Sequence, residues 1–357
     1  MFALQKTEPT HGFTATTEAP APEPGPGEVL IAVTHAGVCG TDKGIYEWAP
    51  WTVSHVSLGV TVGHELVGRV AGLGAGVSRV REGQRVSAEG HIACGSCKPC
   101  RTGESHVCKN VRVLGASVNG GFADFVVVPE GNVWPVHDSI SDETAAILDP
   151  IGNAMHTVMT AGVAGRTVLV TGAGVIGAIS IAIARAAGAG TIIATDISAR
   201  RRELALDLGA DHALPGDDPE WPEQARHLTG GDGPDVLLEM SGNPTAISQG
   251  LSSLRRGGTA ALLGVPTKPV ELDLLNDVVF KGATIRGVFG RRMYETWHQV
   301  ENMLVGGRLN LDSVISHRIP IRDYERAFAL MSSDQAMKIV FVIGEDSSLT
   351  LRTPARG

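Results

Sequence analysis

Four cysteines, Cys94, Cys97, Cys100 and Cys108, fall within the single stretch C-G-S-C-K-P-C-R-T-G-E-S-H-V-C and constrain this chain more than any other feature. At spacings of three, three and eight residues, four thiolates can close a tetrahedral shell around one Zn²⁺ from a single loop. Thiolate is a soft ligand, and the short spacers let the backbone wrap the ion. A disulfide framework is the competing reading. Against it, the N-terminal region carries no apolar targeting stretch with a cleavage-site pattern, and 357 residues can bury a core without covalent staples. The expectation is a structural zinc in a reducing, cytoplasmic setting.

The fifth cysteine, Cys39, stands in G-V-C-G-T-D, and G-H-E (Gly63, His64, Glu65) follows 24 residues later. Sulfur, imidazole and carboxylate together point to a second zinc, of the mixed ligation that leaves a position open for chemistry. A lone thiol is ordinarily a buried core residue, and the nearby G-H-E is what turns the reading toward metal. From the residues alone, Glu65 is either a ligand or an anchor for the metal loop.

Composition removes other classes. Net charge is -8 and aromatic content 4%, which disfavours nucleic acid or an anionic membrane surface as partner. No uninterrupted apolar run reaches membrane-spanning length. Short, Gly- and Pro-punctuated strands are expected at 28–35, 65–73, 84–88 and 122–129, which predicts a distorted β-barrel or sandwich. The Pro-rich entry A-P-A-P-E-P-G-P-G reads as an extended edge segment. Beyond Asp149 the pattern changes to alternating strand and helix. Strands are expected at 167–171, 191–196, 234–240, 259–264 and 283–289, and this alternation predicts a parallel, doubly wound α/β sheet. The domains expected are 1–152, β-rich; 153–293, doubly wound; 294–343, returning to the first; and 344–357, a tail.

Gly172, Gly174 and Gly177 form G-x-G-x-x-G between an expected strand and an expected helix. The first glycine permits the tight turn, the second a close approach of pyrophosphate, and the third close packing of helix on strand. Asp196 ends the next strand, 19 residues beyond the last glycine, where a carboxylate can accept from the adenosine ribose hydroxyls. The same charge repels a 2′-phosphate, so NAD is expected over NADP. Arg200, Arg201 and Arg202 stand nearby as the counter-consideration.

Cys39, G-H-E, the four-cysteine loop and the downstream G-x-G-x-x-G together resemble the zinc-dependent medium-chain alcohol dehydrogenases over residues 1–343. Through E-G-H-I-A-C-G-S-C, D-P-I-G-N-A-M-H-T, L-L-E-M-S-G and G-R-R-M-Y-E-T-W, the chain is most similar to the L-threonine 3-dehydrogenase branch. The resemblance implies a GroES-like catalytic domain, a Rossmann domain, one catalytic and one structural zinc, and a homotetramer. It implies catalytic-zinc ligation by Cys39, His64 and Glu65, with Asp149 approaching as a labile ligand or a neighbour of the ligands. It places NAD contacts at Ile176, Asp196, Arg201, Leu263, Gly264, Val265, Val288 and Phe289. Thr41 is the implied proton acceptor. The family pattern has a histidine partnering that threonine where this chain has Gly44.

The implied reaction is oxidation of a small secondary alcohol, L-threonine first, with polyols, sugars or biosynthetic amino alcohols as alternatives. Glu89, His91 and Asp149 are further polar candidates near the zinc. Three bland readings stand beside these: Thr41 as a helix cap, His91 as a loop histidine, and Asp149-Pro150 as a turn. Two rival classes are a zinc-bearing binding module, opposed by charge and by the nucleotide fingerprint, and a zinc-free quinone reductase, opposed by Cys39 and His64.

Overall fold

An eleven-residue strand, Glu28–Val38, organises the first unit of the structure, a computed structural model that describes residues 1–344. Its side chains alternate between buried and half-buried along most of its length, as a strand lying between a core and a more open face requires. It pairs antiparallel with Glu65–Leu73 on one side. On the other it pairs with Phe125–Pro129 along its first half and with Lys338–Val342 along its second. The sheet continues through Arg85–Ala88 and Val133–Pro135 at one end and Ile315–Pro320 at the other. Its core gathers Val29, Ile31, Leu66, Phe122, Phe328 and Phe341. The Pro-rich entry forms no strand: residues 19–27 lack regular structure, and Gly27 N–H donates to the Ala75 carbonyl.

This pairing places the site. Gly37 lies opposite Glu65, and Val38 lies opposite Ile339, so Cys39, Glu65 and Lys338 meet just past the end of one strand.

The second unit carries six parallel strands: β1 (Val168–Thr171), β2 (Ile192–Asp196), β3 (His212–Pro215), β4 (Val236–Glu239), β5 (Thr259–Leu262) and β6 (Thr284–Gly287). Their order is β3-β2-β1-β4-β5-β6, so the topology reverses between β1 and β4. In open parallel sheets that reversal opens the crevice in which ligands bind. Strands β1, β2 and β4 are buried along their whole length, which is why each opens on an apolar run (V-L-V, I-I-A and V-L-L), with polar residues only at its carboxyl end. Leu169, Ile193, Leu237, Ile247, Leu251 and Trp221 pack one face.

Residues 1–103, 108–149 and the chain from Ile315 belong to the first unit; 104–107 and 150–314 belong to the second. The chain therefore returns to the first unit at Ile315, not at 294 as expected. Helix Glu295–Val305 buries Thr296, Trp297, Val300 and Met303 within the second unit, and an amphipathic pattern does not say which core its apolar face meets. Of the expected tail, all but Gly344 lies outside the described residues.

Asp235 ties β1 to β4. Its Oδ2 accepts from the Thr167 N–H at 2.7 Å and the Thr167 hydroxyl at 2.8 Å, and its Oδ1 accepts from Arg255 Nε at 2.5 Å. Burial pushes this carboxyl upward, but the Thr167 donors and the guanidinium outweigh it and hold it below the usual range. A depressed folded-state value stabilises the fold above the unfolded value of about 3.9 and is lost as pH falls through the folded one. Asp235→Asn is expected to lower the thermal midpoint at neutral pH and to flatten its fall in that acid window, as read by calorimetry across pH.

Candidate metal and dinucleotide sites

Cys39 is the N-cap of helix Gly40–Glu47, and that helix supplies the first device of the site. Asp42, in the first turn and fully buried, accepts the Cys39 backbone N–H on Oδ2 at 2.8 Å. Its Oδ1 lies 3.4 Å from His64 Nδ1. One carboxylate thus holds the thiol-bearing turn and orients the imidazole. With Nδ1 facing Asp42, Nε2 is the nitrogen left for a metal. Burial works to lower the His64 pKa, but Asp42, with Cys39 adding, outweighs it and holds it well above the ordinary value.

Sγ of Cys39, a ring nitrogen of His64 and a carboxylate oxygen of Glu65 all lie within 4.8 Å of one another. Soft sulfur, imidazole and carboxylate are the donor set of a catalytic zinc with an open position, so the residues fit the ion. Glu65 is completely enclosed. Lys338 Nζ donates to its Oε1 at 2.7 Å and to the Val38 carbonyl at 2.8 Å, and lies 2.6 Å from Oε2. Oε2 nonetheless has no hydrogen-bond partner, which leaves it a lone pair for a cation. Burial works to lower the Lys338 pKa, but the Glu65 charge carries it above its ordinary value. Gly37 makes room for this carboxylate: a Cβ there would stand 2.1 Å from Glu65 Oε2.

Asp149, buried near the start of helix Leu148–Ala161, is not one of the three converging groups. Its Oδ2 reaches the neighbourhood of Gly90, against which His64 also packs, and its charge is felt at Glu65. The bland reading of Asp149-Pro150 as a turn does not hold, since both residues are helical. Thr41 is the second residue of its helix, so it does not cap it; Cys39 does. Glu89 is fully buried and accepts the His91 N–H at 2.9 Å, while Asn132 Nδ2 binds the carbonyls of both. Neither Glu89 nor His91 joins the converging group.

At Gly44 the expected relay histidine is replaced by space that another side chain uses. A Cβ at Gly44 would meet the Trp51 indole at 2.7 Å (Cζ2), 3.0 Å (Nε1) and 3.1 Å (Cε2). Gly44 lies three residues past Thr41 on the same helix face, so the indole sits one turn from the threonine. Gly44→His is expected to lower the thermal midpoint, and adding Trp51→Ala to restore it. Additive effects in that cycle would contradict the packing.

The four-cysteine loop closes as its spacing predicts. The sulfurs of Cys94, Cys97, Cys100 and Cys108 lie within 4.8 Å of one another, with Cys97 to Cys100 at 3.4 Å and Cys97 to Cys108 at 3.8 Å. All are free thiols, and Zn–S bonds of about 2.3 Å in a tetrahedron require sulfur–sulfur edges of about 3.8 Å. The Ser96 hydroxyl, with backbone N–H groups of the loop, lowers the Cys94 thiol to about 5, so the loop already favours thiolate.

In the second unit the glycine fingerprint opens the helix Val175–Ala186, with Gly174 at its N-cap. Gly172 has φ +84°, and a Cβ on Gly177 would strike the Gly172 carbonyl at 1.9 Å, so turn and packing both demand glycine. Asp196 Oδ2 accepts the Ala173 N–H at 2.8 Å and its Oδ1 the Ser198 N–H at 2.9 Å, which locks the second strand to the glycine loop. Each oxygen keeps a lone pair for a ribose hydroxyl. Arg201 Nη1 stands 3.7 Å from Asp196 Oδ2 and beside Gly174, at the mouth of the fingerprint. Arg202 instead binds the carbonyls of Asp196 and Ile197. Ile176 is in the first turn of the helix. Leu263, Gly264 and Val265 follow β5, and Val288 and Phe289 follow β6, all at the carboxyl end of the sheet. These residues fit a dinucleotide.

Two residues of the metal site escaped the sequence. Asp42 had a local signal, an acid three residues after a cysteine at a helix start. Lys338 had only a weak one, a single lysine opening the apolar run K-I-V-F-V.

Comparison with known proteins identifies the family and the fold. Residues 25–138 match the alcohol dehydrogenase GroES-like domain, and residues 175–306 the zinc-binding dehydrogenase family. An L-threonine 3-dehydrogenase of Symbiobacterium thermophilum is 44% identical over 343 residues, 96% of this chain and 97% of that one. A short chain alcohol dehydrogenase of Escherichia coli CFT073, solved with NADH, superposes with TM-score 0.89 at 25% identity, covering 96% of this chain and 99% of that one. A Sinorhizobium meliloti 1021 protein described as a zinc-binding dehydrogenase, solved with NADP, gives TM-score 0.88 at 27% identity, covering 96% and 98%. This chain belongs to the zinc-binding alcohol dehydrogenase family, with a GroES-like domain and a Rossmann domain.

Proposed function

We propose that the protein oxidises L-threonine to 2-amino-3-oxobutanoate with transfer of hydride to NAD. The observation that carries this reading is the convergence of Cys39, His64 and Glu65 on one enclosed point. The relative with that name, alike over nearly the whole chain, supports the substrate. When bound, the zinc supplies a Lewis acid that acidifies a hydroxyl and the dinucleotide accepts a hydride. Asp42 keeps His64 in the tautomer that presents Nε2, and Lys338 balances the charge of Glu65. Thr41, two residues from the thiol, relays the substrate's proton through its hydroxyl, giving up its own proton as it accepts. With an indole against Gly44, no imidazole at that position continues the relay.

The buried carboxylate of Asp196 supports NAD over NADP, because a 2′-phosphate would meet its charge. Relative rates with the two cofactors at subsaturating concentration test this, and a preference for NADP would overturn it. L-threonine with saturating NAD should generate NADH absorbance; silence with threonine beside turnover of a polyol or a simple secondary alcohol would move the substrate. The Trp51 indole at the relay position favours that second reading, a polyol, sugar or amino-alcohol dehydrogenase, since it changes the wall beside Thr41.

We also infer a homotetramer built partly on β6. All four residues of this edge strand are exposed, as are Leu274, Leu275, Val279 and Phe280 of the preceding segment. Light scattering tests it, and a monomer at micromolar concentration would contradict it. No helix among the described residues is long and apolar enough to cross a membrane. Five free thiols, four of them clustered for metal, support residence in the reducing cytoplasm. The net charge of -8 supports small-molecule partners over nucleic acid or membrane.

A further inference from the structure

Glu239, the last residue of β4, is a fully buried acid, and no lysine, arginine or histidine pairs with it among the described residues. A carboxylate so enclosed is costly unless donors surround it. Its Oε1 accepts the Ser241 N–H at 2.9 Å, the Ser241 hydroxyl, the Gly242 N–H at 3.2 Å and the Thr171 hydroxyl at 3.4 Å. Oε2 accepts the Gly242 N–H at 3.3 Å, and the Glu239 carbonyl accepts the N–H groups of Leu263 and Gly264, each at 3.0 Å.

These partners come from three different places. Thr171 ends β1 and leads into the glycine fingerprint, Ser241 and Gly242 form the loop after β4, and Leu263 and Gly264 the loop after β5. The three segments also interlock. A Cβ on Gly172 would strike Ser241 at 2.8 Å, one on Gly242 the Val265 carbonyl at 2.5 Å, and one on Gly264 Glu239 Oε2 at 2.5 Å. Thr171 and Glu239 are register partners on β1 and β4, the pair between which the strand order reverses.

We infer that Glu239 is a positioning residue for the dinucleotide: its carboxylate and carbonyl pin together the three loops on which the cofactor lies. This rests on the reading of the second unit as a dinucleotide site. A carboxylate accepts on every side, so it can satisfy the Thr171, Ser241 and Gly242 donors at once, while the backbone carbonyl takes those of Leu263 and Gly264. Glutamine keeps one acceptor oxygen but turns an N–H₂ toward other donors, and alanine leaves the Thr171, Ser241 and Gly242 donors unmet while the backbone carbonyl still holds Leu263 and Gly264. The buried negative charge is consumed by these donors, which lets an acid stand beside a site that takes pyrophosphate.

The test is NAD binding by calorimetry on the full chain, with zinc content and thermal midpoint measured in parallel. Glu239→Ala is expected to raise the Kd for NAD by roughly ten- to a hundred-fold, since several donors lose their acceptor. Glu239→Gln should recover part of that loss, and zinc content should stay unchanged in both. If the alanine variant fails to fold, Glu239→Gln and Ser241→Ala decide, each expected to weaken NAD by several-fold in folded protein. Normal NAD affinity in folded variants, with only the thermal midpoint lowered, would overturn the inference and leave the dinucleotide site standing. Failure of the unaltered chain to bind either NAD or NADP would overturn the dinucleotide reading, and this inference with it.

Discussion

Cys39→Ala is expected to remove one of two zinc ions per chain and to abolish threonine oxidation, leaving NAD binding intact. The thiolate is the soft donor of a three-group site, and without it His64 and Glu65 offer only an imidazole and a lysine-paired carboxylate. Metal Lewis acidity supplies several kcal/mol of transition-state stabilisation, so turnover should fall on the order of 10³-fold or more. Elemental analysis and NADH absorbance read the two effects separately. Cys97→Ala should behave differently. It removes the other zinc and loosens the loop at residues 94–108, which damages solubility before chemistry. Equal zinc loss with equal residual activity in both variants would contradict the assignment of one catalytic and one structural ion.

Lys338→Met is the second large effect. It removes the lysine that pairs with Glu65 and strands a carboxylate with no exposure to water. Breaking a buried pair from one side costs about 3–5 kcal/mol, because the remaining charge is uncompensated. The loss should be greater in chelator-treated protein than in zinc-loaded protein, since a dication beside Glu65 takes over the neutralising role. Lys338→Met with Glu65→Gln should recover most of the stability, because no unpaired charge then remains. Denaturant midpoints with and without chelator measure all of this. A loss independent of zinc would show that Glu65 and the metal do not share charge, and would make Glu65 an anchor only.

What the sequence made legible was whatever depends on short spacing. The four-cysteine loop, the Cys39 turn and the glycine fingerprint each lie within one local segment, where residue type and interval settle the geometry. The parallel strands were legible because burial on both faces writes a short apolar run, as in V-L-V of β1 and V-L-L of β4. Lys338 was not, because it reaches Glu65 from 273 residues away and only strand pairing brings the two together. Glu239 reads as an ordinary acid ending a strand, since its donors come from three loops that the fold assembles. The missing relay histidine was visible as Gly44, whereas the indole in its place was not, because nothing in a chain announces which neighbour fills a space. Helix Glu295–Val305 shows the same limit at the scale of a domain: its apolar face was clear, but the core it joins was not.

Titrating zinc into chelator-treated protein, with L-threonine and NAD present and NADH absorbance followed, shows whether Cys39, His64 and Glu65 hold the zinc on which turnover depends. Turnover is expected to be negligible at the start, to recover and saturate as the site fills, and not to recover in Cys39→Ala. Full turnover by metal-free protein, or equal recovery in the Cys39 variant, would rule out zinc at these three residues.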